Sequence, residues 1–582
     1  MNFQAWIHWL EQGRGAHWLA RAALIVALAA GSLVICHKQF HGPRTEETLR
    51  QAELGRSLAE GRGFATRIND AQVHAVLERR GELFDEAEYF PALYQPPGYP
   101  VVVAAALRIL PATLRESLLG EAPAPPAGFG GDYLLLAINV GLLWVATLQV
   151  WLLGRRLFDP VVGGVAALAL LLSTAIWSHV VAVDGTPLAM VLLLGLFQCL
   201  ARADAAIDAE RNRPALGWWL TAGMLAALLF LTDYPAGVLL LAVAGHARWR
   251  GRGGAAGAAI LVALLIATPW LWRNVALVDS PVALAGQDLF LKIDDTTAEP
   301  EVWRATLTAE APPPSLNKMG NKVLTAIQVT LRDRLWAGGG LFLTAFFVAG
   351  WMYRFRDAAA NRLRALTVGI LAVWVPAQGL MNSGEGERLP VVVAAPLIMI
   401  FGAGFFRVLA AGSNLVAGHV KLVAAGLLLL QALPLGHDLL EPRRVHFSYP
   451  PYWPSFFQLM GVEMERRGGD QPGWMADVPA GAAWYSGQRV WGQPHTLRDF
   501  YAVHVEQPQI SLVLTPHTLD RPFFAELTGG AQSTSRFGEW GRIYTGMLNG
   551  RMPRDFPLSQ PQKLADNFHV LIDPRRVPFR GN

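Results

Sequence analysis

Residues 132–153 read DYLLLAINVGLLWVATLQVWLL, and no charged side chain follows Asp132 in this stretch. A helix of about 20 apolar residues crosses the roughly 30 Å hydrocarbon core of a bilayer. We therefore interpret the stretch as a transmembrane helix. Similar runs recur along the chain, about eleven in all, at 18–36, 132–153, 160–179, 186–203, 216–232, 235–249, 255–275, 335–352, 364–382, 389–407 and 420–437.

The composition agrees with a membrane protein of many spans. The chain has 582 residues, of which 52% are hydrophobic and 16% charged, whereas a soluble globular protein has about 25% charged residues. This excludes a purely soluble protein. The net charge of +4 is small and dispersed, which argues against a nucleic-acid partner. The two cysteines, Cys36 and Cys199, offer neither a disulfide framework nor a CxxC metal site.

The short loops between the runs predict the orientation. Cytoplasmic loops of membrane proteins carry an excess of Lys and Arg, and the excess falls on one side if the N-terminus is cytoplasmic. The first run is expected to be retained, because Ser32 to Phe40 is a poor cleavage site for a signal peptidase. We predict a multi-pass protein of the inner (cytoplasmic) membrane. The basic residues that decide this are Arg155, Arg156, Arg202, Arg211, Arg213, Arg248, Arg250, Arg252, Arg354, Arg356, Arg362, Arg364, Arg407 and Lys421.

One apolar segment is too short to span. Pro100–Leu110 reads PVVVAAALRIL, about half the length that a crossing helix needs. Counting it as a span would also invert every later loop against the charge rule. We predict a helix lying in the interface on the outer face.

The topology leaves three large pieces outside the cytoplasm. A first loop, 37–131, contains a predicted helix at Thr45–Glu60, and a second loop covers 276–334. Residues 438–582 are long enough for a domain of their own. Short apolar runs at Ile510–Thr515 and His569–Asp573 favour strands, and Leu519–Leu527 favours a helix. The predicted organisation is a transmembrane domain, 1–437, followed by an extracytoplasmic α/β domain, 438–582.

Charged residues beside the spans converge on the predicted outer face. They are Glu46, Glu47, Asp184, Asp233, Arg273, Glu385, Glu387 and Arg388. Charges at such positions are costly and mark functional candidates. Arginines clamp phosphate groups, and a carboxylate can take a proton from an attacking hydroxyl. The pattern therefore suits a lipid substrate that carries phosphate. Interfacial anchors and helix caps are the competing interpretation.

Common soluble-enzyme motifs are missing from the sequence. It has no phosphate-binding loop ending in Lys-Ser/Thr, no HExxH and no GxSxG. No motif requires a cofactor, and a divalent metal stays an open alternative. The paired acids Asp294 and Asp295 are a weak signal, and a solvated loop explains them as well.

Four stretches together resemble the GT-C superfamily of membrane glycosyltransferases, close to the protein O-mannosyltransferase and lipid A aminoarabinose transferase group. Glu47–Phe64 is similar to the family's first-loop helix with its acidic start and Gly-x-Gly-aromatic end. Gln95–Pro100 (QPPGYP) is similar to its Pro-Pro-x-Tyr-Pro element. Thr268–Asn274 (TPWLWRN) resembles its Pro-Trp-x-x-Arg-Asn span end, and Glu387–Pro390 (ERLP) its Glu-Arg-Tyr-x-x-Pro element. The resemblance covers roughly residues 18–410.

The resemblance implies an inverting transfer of a sugar from a polyprenyl-phosphate carrier to a lipid, glycan or protein acceptor outside the cytoplasm. The family's first-loop Asp falls on Glu47, with Glu46 adjacent, so this pair would supply the base. Arg388, with Arg273 as a positional match, would bind the donor phosphate. The pocket would include Asp184, Asp233, Glu387 and Tyr99.

The sequence departs from the family at four positions, one of which is Leu389, where the family's Glu-Arg element has Tyr. Glu47 replaces the first-loop Asp, Asp233 stands where the family has a basic residue, and Gly185 stands where an acidic residue is usual. These departures leave two further classes of function open. One is a non-catalytic GT-C-like protein that binds a polyprenyl lipid or acts as an envelope scaffold. A transporter fits less well, because the spans lack central charges and obvious half-to-half symmetry.

Overall fold

A computed structural model describes most of the chain. The described ranges are 14–81, 89–120, 128–289, 304–307, 316–381, 389–412, 418–440, 452–467, 473–519, 540–565 and 568–574. Of the residues singled out above, Asp294, Asp295, Glu385, Glu387 and Arg388 lie outside them.

The protein is a multi-pass membrane protein. Within the described ranges, seven helices are long and apolar enough to cross a bilayer: Ala22–Gln39, Gly130–Leu157, Thr186–Asp208, Gly253–Val278, Ala358–Met381, Leu389–Gly412 and Val420–Leu440. Two pairs of consecutive helices raise the number to nine if each pair counts as one span. The helices Pro160–Leu171 and Thr174–Ala182 meet at a bend of 54°, and Met319–Gly339 and Leu341–Met352 meet at a bend of 114°.

The count of eleven spans is not confirmed. The predicted span 216–232 falls on the helix Asn212–Phe230, and 235–249 falls on a short 3-10 turn, Tyr234–Val238, followed by the 11-residue helix Leu239–Trp249. Neither belongs to the set of helices that meet the length and hydropathy of a span. Eleven spans therefore stay a prediction.

The helix Leu389–Gly412 lies at the centre of the membrane bundle. The most apolar 18-residue window of this helix is 89% buried, against 17% for Val420–Leu440 and 28% for Gly253–Val278. A helix that is apolar on all sides is stable when other helices surround it. The other two helices instead leave most of their apolar surface uncovered by protein, as expected of helices that face lipid.

Two helices of the first loop cross closely. Glu46–Ala59 confirms the predicted helix, and its N-cap Thr45 accepts a 3.2 Å hydrogen bond from the backbone N–H of Thr48. Gly98–Ile109 confirms the short helix at the interfacial segment. A Cβ on Gly55 would lie 2.7 Å from the Cβ of Val103. Only glycine at this position lets the two helices approach so closely. The smaller helices of this loop are Ala71–Arg79 and Ala112–Leu119.

The described strands number eight and form two sheets, one of six strands and one of two. The strands are β1 (Ala65–Thr66), β2 (Ile68–Asn69), β3 (Phe90–Pro91), β4 (Gly473–Ala476), β5 (Val490–Gly492), β6 (Gln509–Leu514), β7 (Gln560–Ala565) and β8 (Phe568–Ile572). The order in the large sheet is β2-β5-β4-β6-β8-β7, whereas β1 and β3 pair separately. The strands β2, β5, β4 and β6 run parallel, and β8 lies antiparallel between β6 and β7. The strands predicted at 510–515 and 569–573 are confirmed.

The first loop contributes a strand to this sheet. Ile68 pairs with Val490 and Asn69 with Trp491 in parallel register. The sheet is therefore not built from residues after 438 alone, and the division of the chain at 437/438 stays a prediction. The helix expected at 519–527 is seen only in its first residue, as the end of Pro516–Leu519, because 520–527 lie outside the described residues.

Apolar residues cover both faces of the sheet. Alternate side chains of a strand point to opposite faces, so Trp474 and Ala476 pack against the first loop while Met475 packs on the other side. The helices around the sheet are Pro454–Arg467, Pro479–Ser486, Leu497–Glu506, Pro516–Leu519 and Gly541–Leu548.

The helix Pro479–Ser486 fixes the sheet to the rest of the protein. The Asp132 carboxylate, in the first turn of a spanning helix, accepts hydrogen bonds from Trp484 Nε1 at 3.0 Å and from the Tyr485 hydroxyl at 2.9 Å. Arg56 of the first-loop helix donates to the carbonyl oxygen of Trp484 at 3.2 Å. These contacts join Pro479–Ser486 to the last turn of the helix Glu46–Ala59 and to the first turn of Gly130–Leu157.

Candidate functional site

The residues that follow the parallel strands surround a cavity. Asp70 follows β2, Gln493 follows β5 and Asp477 follows β4, and all three line it. The carboxyl ends of parallel strands meet at one edge of a sheet, and ligands of α/β proteins bind there. This edge is where the first-loop helix begins, so residues from both parts of the chain meet.

We call this space the edge cavity. It is open to solvent, and the volume inside it that water-sized groups can enter is about 70 Å³. Its described lining residues are Glu46, Glu47, Arg50, Asp70, Ala71, Arg304, Ala305, Asp477, Pro479, Gly492, Gln493 and His517.

The Glu46 carboxylate holds the sheet in place through hydrogen bonds. Its carboxylate accepts hydrogen bonds from the backbone N–H groups of Ala480 at 2.8 Å and Gly481 at 3.2 Å, at the start of the helix Pro479–Ser486. A carboxylate at a helix N-terminus also interacts favourably with the helix dipole. Burial raises the pKa of the Glu46 carboxyl, although the nearby Arg50 guanidinium and the two N–H groups act in the opposite direction.

Glu46→Ala is expected to lower the free energy of unfolding of this region by roughly 2 kcal/mol, because two buried N–H donors lose their acceptor. Thermal unfolding of the purified protein, followed by tryptophan fluorescence, measures the change. Glu47→Ala is the matched control, since it removes a neighbouring carboxylate that is 46% exposed. Equal midpoints for the two variants would contradict the anchoring role of Glu46.

Glu47 points to the open side of the edge cavity. Its carboxylate lies 3.3 Å from Arg304 Nη1, 3.4 Å from Gln51 Nε2 and 3.5 Å from Gln95 Nε2. Of the acidic pair that the sequence indicated, Glu47 is the member whose carboxylate a substrate can reach. A solvent-accessible carboxylate that polar side chains hold in place is suited to accept a proton.

Arg304 is a site residue that the sequence analysis missed. Its guanidinium stacks on the ring of Tyr94 at 4.3 Å and reaches Glu47 from the second loop. The segment 304–307 is itself fixed, since the carbonyl oxygen of Ala305 accepts a 2.9 Å hydrogen bond from the backbone N–H of His495. An Arg in a loop predicted to face outward runs against the positive-inside bias, and this was the available signal.

Arg50 and Asp70 form the inner wall of the cavity. The guanidinium donates to both carboxylate oxygens, at 2.6 and 2.9 Å, and both side chains are buried. A bidentate ion pair of this kind has a fixed geometry. Arg50 thereby connects the helix Glu46–Ala59 to the end of β2.

Asp184 and Tyr99 lie near each other, and neither is among the described residues that line the edge cavity. The Tyr99 hydroxyl is 2.9 Å from the Val183 carbonyl oxygen and 3.1 Å from Asn139 Oδ1, and Asn139 donates to the carbonyl oxygen of Asp184. The Asp184 carboxylate lies 2.6 Å from His179 Nδ1. Burial acts to raise the pKa of Asp184, but the charge and hydrogen bond of His179 outweigh it and leave that pKa below its usual value.

The structure places Asp233 and Arg273 away from the edge cavity. The Asp233 carboxylate is 3.3 Å from Trp374 Nε1, between two membrane helices. Arg273 donates to the carbonyl oxygens of Phe64 at 2.8 Å and Ala92 at 3.0 Å. Its guanidinium therefore holds two points of the first loop in place. Phosphate binding by Arg273 stays a prediction, as do the roles of Glu387 and Arg388.

Comparison with solved structures settles the fold. The Archaeoglobus fulgidus oligosaccharyltransferase in complex with zinc and sulfate matches over 84% of this chain and 67% of its own, at 11% identity and a TM-score of 0.51. The A. fulgidus oligosaccharyltransferase AglB with an inhibitory peptide and a dolichol-phosphate matches over 90% and 73%, at 12% identity and a TM-score of 0.51. This oligosaccharyltransferase is a GT-C glycosyltransferase. The chain has the GT-C fold.

The GT-C fold confirms the resemblance drawn from the four sequence stretches. ArnT from Cupriavidus metallidurans in the apo state covers 86% of this chain and 94% of its own, at 14% identity and a TM-score of 0.46. The amino-acid sequence matches no known family model and no curated protein. Among the described residues of this GT-C chain, no group of three or more His, Cys, Asp and Glu side chains could hold a metal ion.

Proposed function

We propose that the protein is an inverting glycosyltransferase. It moves a hexose or pentose from a polyprenyl-phosphate carrier to a lipid, glycan or protein acceptor on the extracytoplasmic face of the inner membrane. The observation that carries the proposal is the position of Glu47, on the open side of the edge cavity and beside the Arg304 guanidinium. The GT-C fold supports it, since the AglB structure with this fold contains a dolichol-phosphate.

Glu47, Arg304 and Arg388 have separate roles in the proposed reaction. An acceptor hydroxyl gives its proton to Glu47 while its oxygen forms a bond to the anomeric carbon of the sugar. The bond from that carbon to the phosphate oxygen breaks on the opposite face, and the electron pair leaves with the polyprenyl phosphate. Arg304 stabilises the charge on this leaving group. Arg388 is proposed as a second phosphate ligand, from its match to the family's Glu-Arg element.

The Arg304–Glu47 ion pair would keep the base and the cation in place before the donor arrives. The Arg304 side chain is 13% exposed, and a phosphate that reached it would compete with Glu47 for the guanidinium. Release of Glu47 from Arg304 would leave its carboxylate free to contact the acceptor hydroxyl. Binding of the donor thereby prepares the base.

The test is turnover by the full-length protein in lipid nanodiscs. We would incubate it with undecaprenyl-phosphate sugars and candidate acceptors, and follow the release of undecaprenyl phosphate by mass spectrometry. Sugar-dependent release, with inversion at the anomeric carbon in the product, is expected. The alternative of a lipid-binding scaffold predicts that the lipid binds with no release. That outcome would overturn the enzymatic proposal.

A further inference from the structure

The edge cavity is lined by a second carboxylate, Asp477, of which only one oxygen accepts hydrogen bonds from described residues. Asp477 Oδ2 accepts hydrogen bonds from Thr515 N at 2.8 Å, Thr515 Oγ1 at 3.1 Å and Thr518 N at 3.2 Å. The residue is 8% exposed, yet Oδ1 has no hydrogen-bond partner among the described residues. The Thr515 and Thr518 donors fix the direction of the carboxylate and all three are on Oδ2.

Gln493 repeats this arrangement on the neighbouring strand. Its side-chain Nε2 donates to the Tyr544 hydroxyl, and its backbone N–H donates to the carbonyl oxygen of Ala476 at 3.1 Å. Gln493 is 4% exposed, and within the described part of the chain its Oε1 has no hydrogen-bond partner. Burying an acceptor without a donor is unfavourable, and these two acceptors belong to residues that line the same cavity. Two of them on one cavity wall indicate a ligand that supplies donors.

The charges around the cavity restrict the class of this ligand. The described ionisable lining residues, apart from His517, are Glu46, Glu47, Asp70, Asp477, Arg50 and Arg304. Arg50 is paired with Asp70 and Arg304 with Glu47, so acidic groups are in excess on the Asp477 side. An anionic group is disfavoured there, whereas hydroxyl groups can donate to both free oxygens.

We propose that Asp477 Oδ1 and Gln493 Oε1 bind hydroxyl groups of a sugar ring in the edge cavity. This inference rests on the proposed transferase function and adds the residues that select the sugar. The same chemistry can come from two sources, the sugar of the lipid-linked donor or a sugar of a glycan acceptor. Side-chain oxygens that accept hydrogen bonds and are held on a rigid sheet edge discriminate between sugars. A sugar with a missing or misplaced hydroxyl would leave one of these buried oxygens unpaired.

The variants Asp477→Asn and Gln493→Met test the subsite. In Asp477→Asn the amide oxygen keeps the three donors of Thr515 and Thr518, and the NH₂ group replaces the free oxygen. Gln493→Met keeps the length of the side chain and removes its acceptor. Gln509→Met is the matched control, since Gln509 is a buried glutamine of the same sheet whose Nε2 donates to the carbonyl oxygen of Gln507 at 2.8 Å.

Binding would be measured by native mass spectrometry with two series of probes. One compares undecaprenyl phosphate with undecaprenyl-phosphate sugars, and the other uses soluble methyl glycosides and short oligosaccharides. A fall of at least about tenfold in sugar-dependent affinity in both variants, but not in Gln509→Met, is expected. A fall in the lipid series assigns the subsite to the donor, and a fall in the soluble series assigns it to the acceptor.

Unchanged affinities in both variants, or no sugar-dependent binding by the wild type, would overturn the subsite. Turnover by the wild type separates this failure from that of the proposed function. Turnover with unchanged affinities in the variants rejects the subsite alone, whereas binding of undecaprenyl phosphate without turnover rejects the transferase.

Discussion

Glu47→Gln is expected to lower the turnover of sugar transfer by about 10²–10⁴-fold, because the amide cannot take the proton of the acceptor hydroxyl. The substitution keeps the shape of the side chain and leaves the amide within reach of Arg304, which lies 3.3 Å from the carboxylate. Affinity for undecaprenyl phosphate should change little. Initial rates and lipid binding, measured on the same preparations, separate the two effects.

Two control variants make this result specific to Glu47. Glu78→Gln changes an exposed carboxylate of the same loop, 3.9 Å from His74 Nδ1, and should leave turnover unchanged. Glu46→Gln tests the other member of the pair, which the structure assigns to the backbone N–H groups of Ala480 and Gly481. Activity of Glu47→Gln within about tenfold of the wild type would remove Glu47 as the base.

The sequence predicted those parts of the fold that depend on local patterns. Runs of apolar residues identified the spanning helices, and the cap at Thr45 agrees with the helix that begins at Glu46. The strands β6 and β8 were found because each contains a short, mainly apolar run. The count of eleven spans stays a prediction, because hydropathy alone does not show that Leu239–Trp249 is only 11 residues long.

The features that the sequence did not predict depend on contacts between distant residues. The strand β2 has two residues and pairs with Val490 and Trp491, far along the chain. The sequence also did not show that Glu46 and Glu47 have different roles, because the hydrogen-bond partners of Glu46 are the distant backbone N–H groups of Ala480 and Gly481. A motif match predicted that Arg273 binds a phosphate. In the structure its guanidinium donates to the carbonyl oxygens of two first-loop residues, and no sequence pattern shows that these residues lie close to it.

The second large effect is expected at Arg67, between β1 and β2. Its guanidinium donates to Glu53 at 2.6 Å and to Glu60 at 3.0 Å, and the Glu53 side chain is fully buried. Arg67→Met leaves the Glu53 carboxylate buried without this partner, a change that typically costs about 3–5 kcal/mol. We therefore expect a large fall in the thermal midpoint, together with faster proteolysis of the first loop as β2 leaves the sheet.

The double variant Glu53→Gln with Arg67→Met separates the loss of charge pairing from the loss of packing. If the destabilisation arises from the unpaired carboxylate, removing that charge should restore most of the stability, because a buried ion pair replaced on both sides is often nearly neutral. A double variant as unstable as Arg67→Met would contradict this account. The carbonyl oxygen of Arg67 accepts a 3.0 Å hydrogen bond from Val490 N. Destabilisation at Arg67 should therefore also disturb the edge cavity, and the single variant should lose turnover even though Arg67 does not line that cavity.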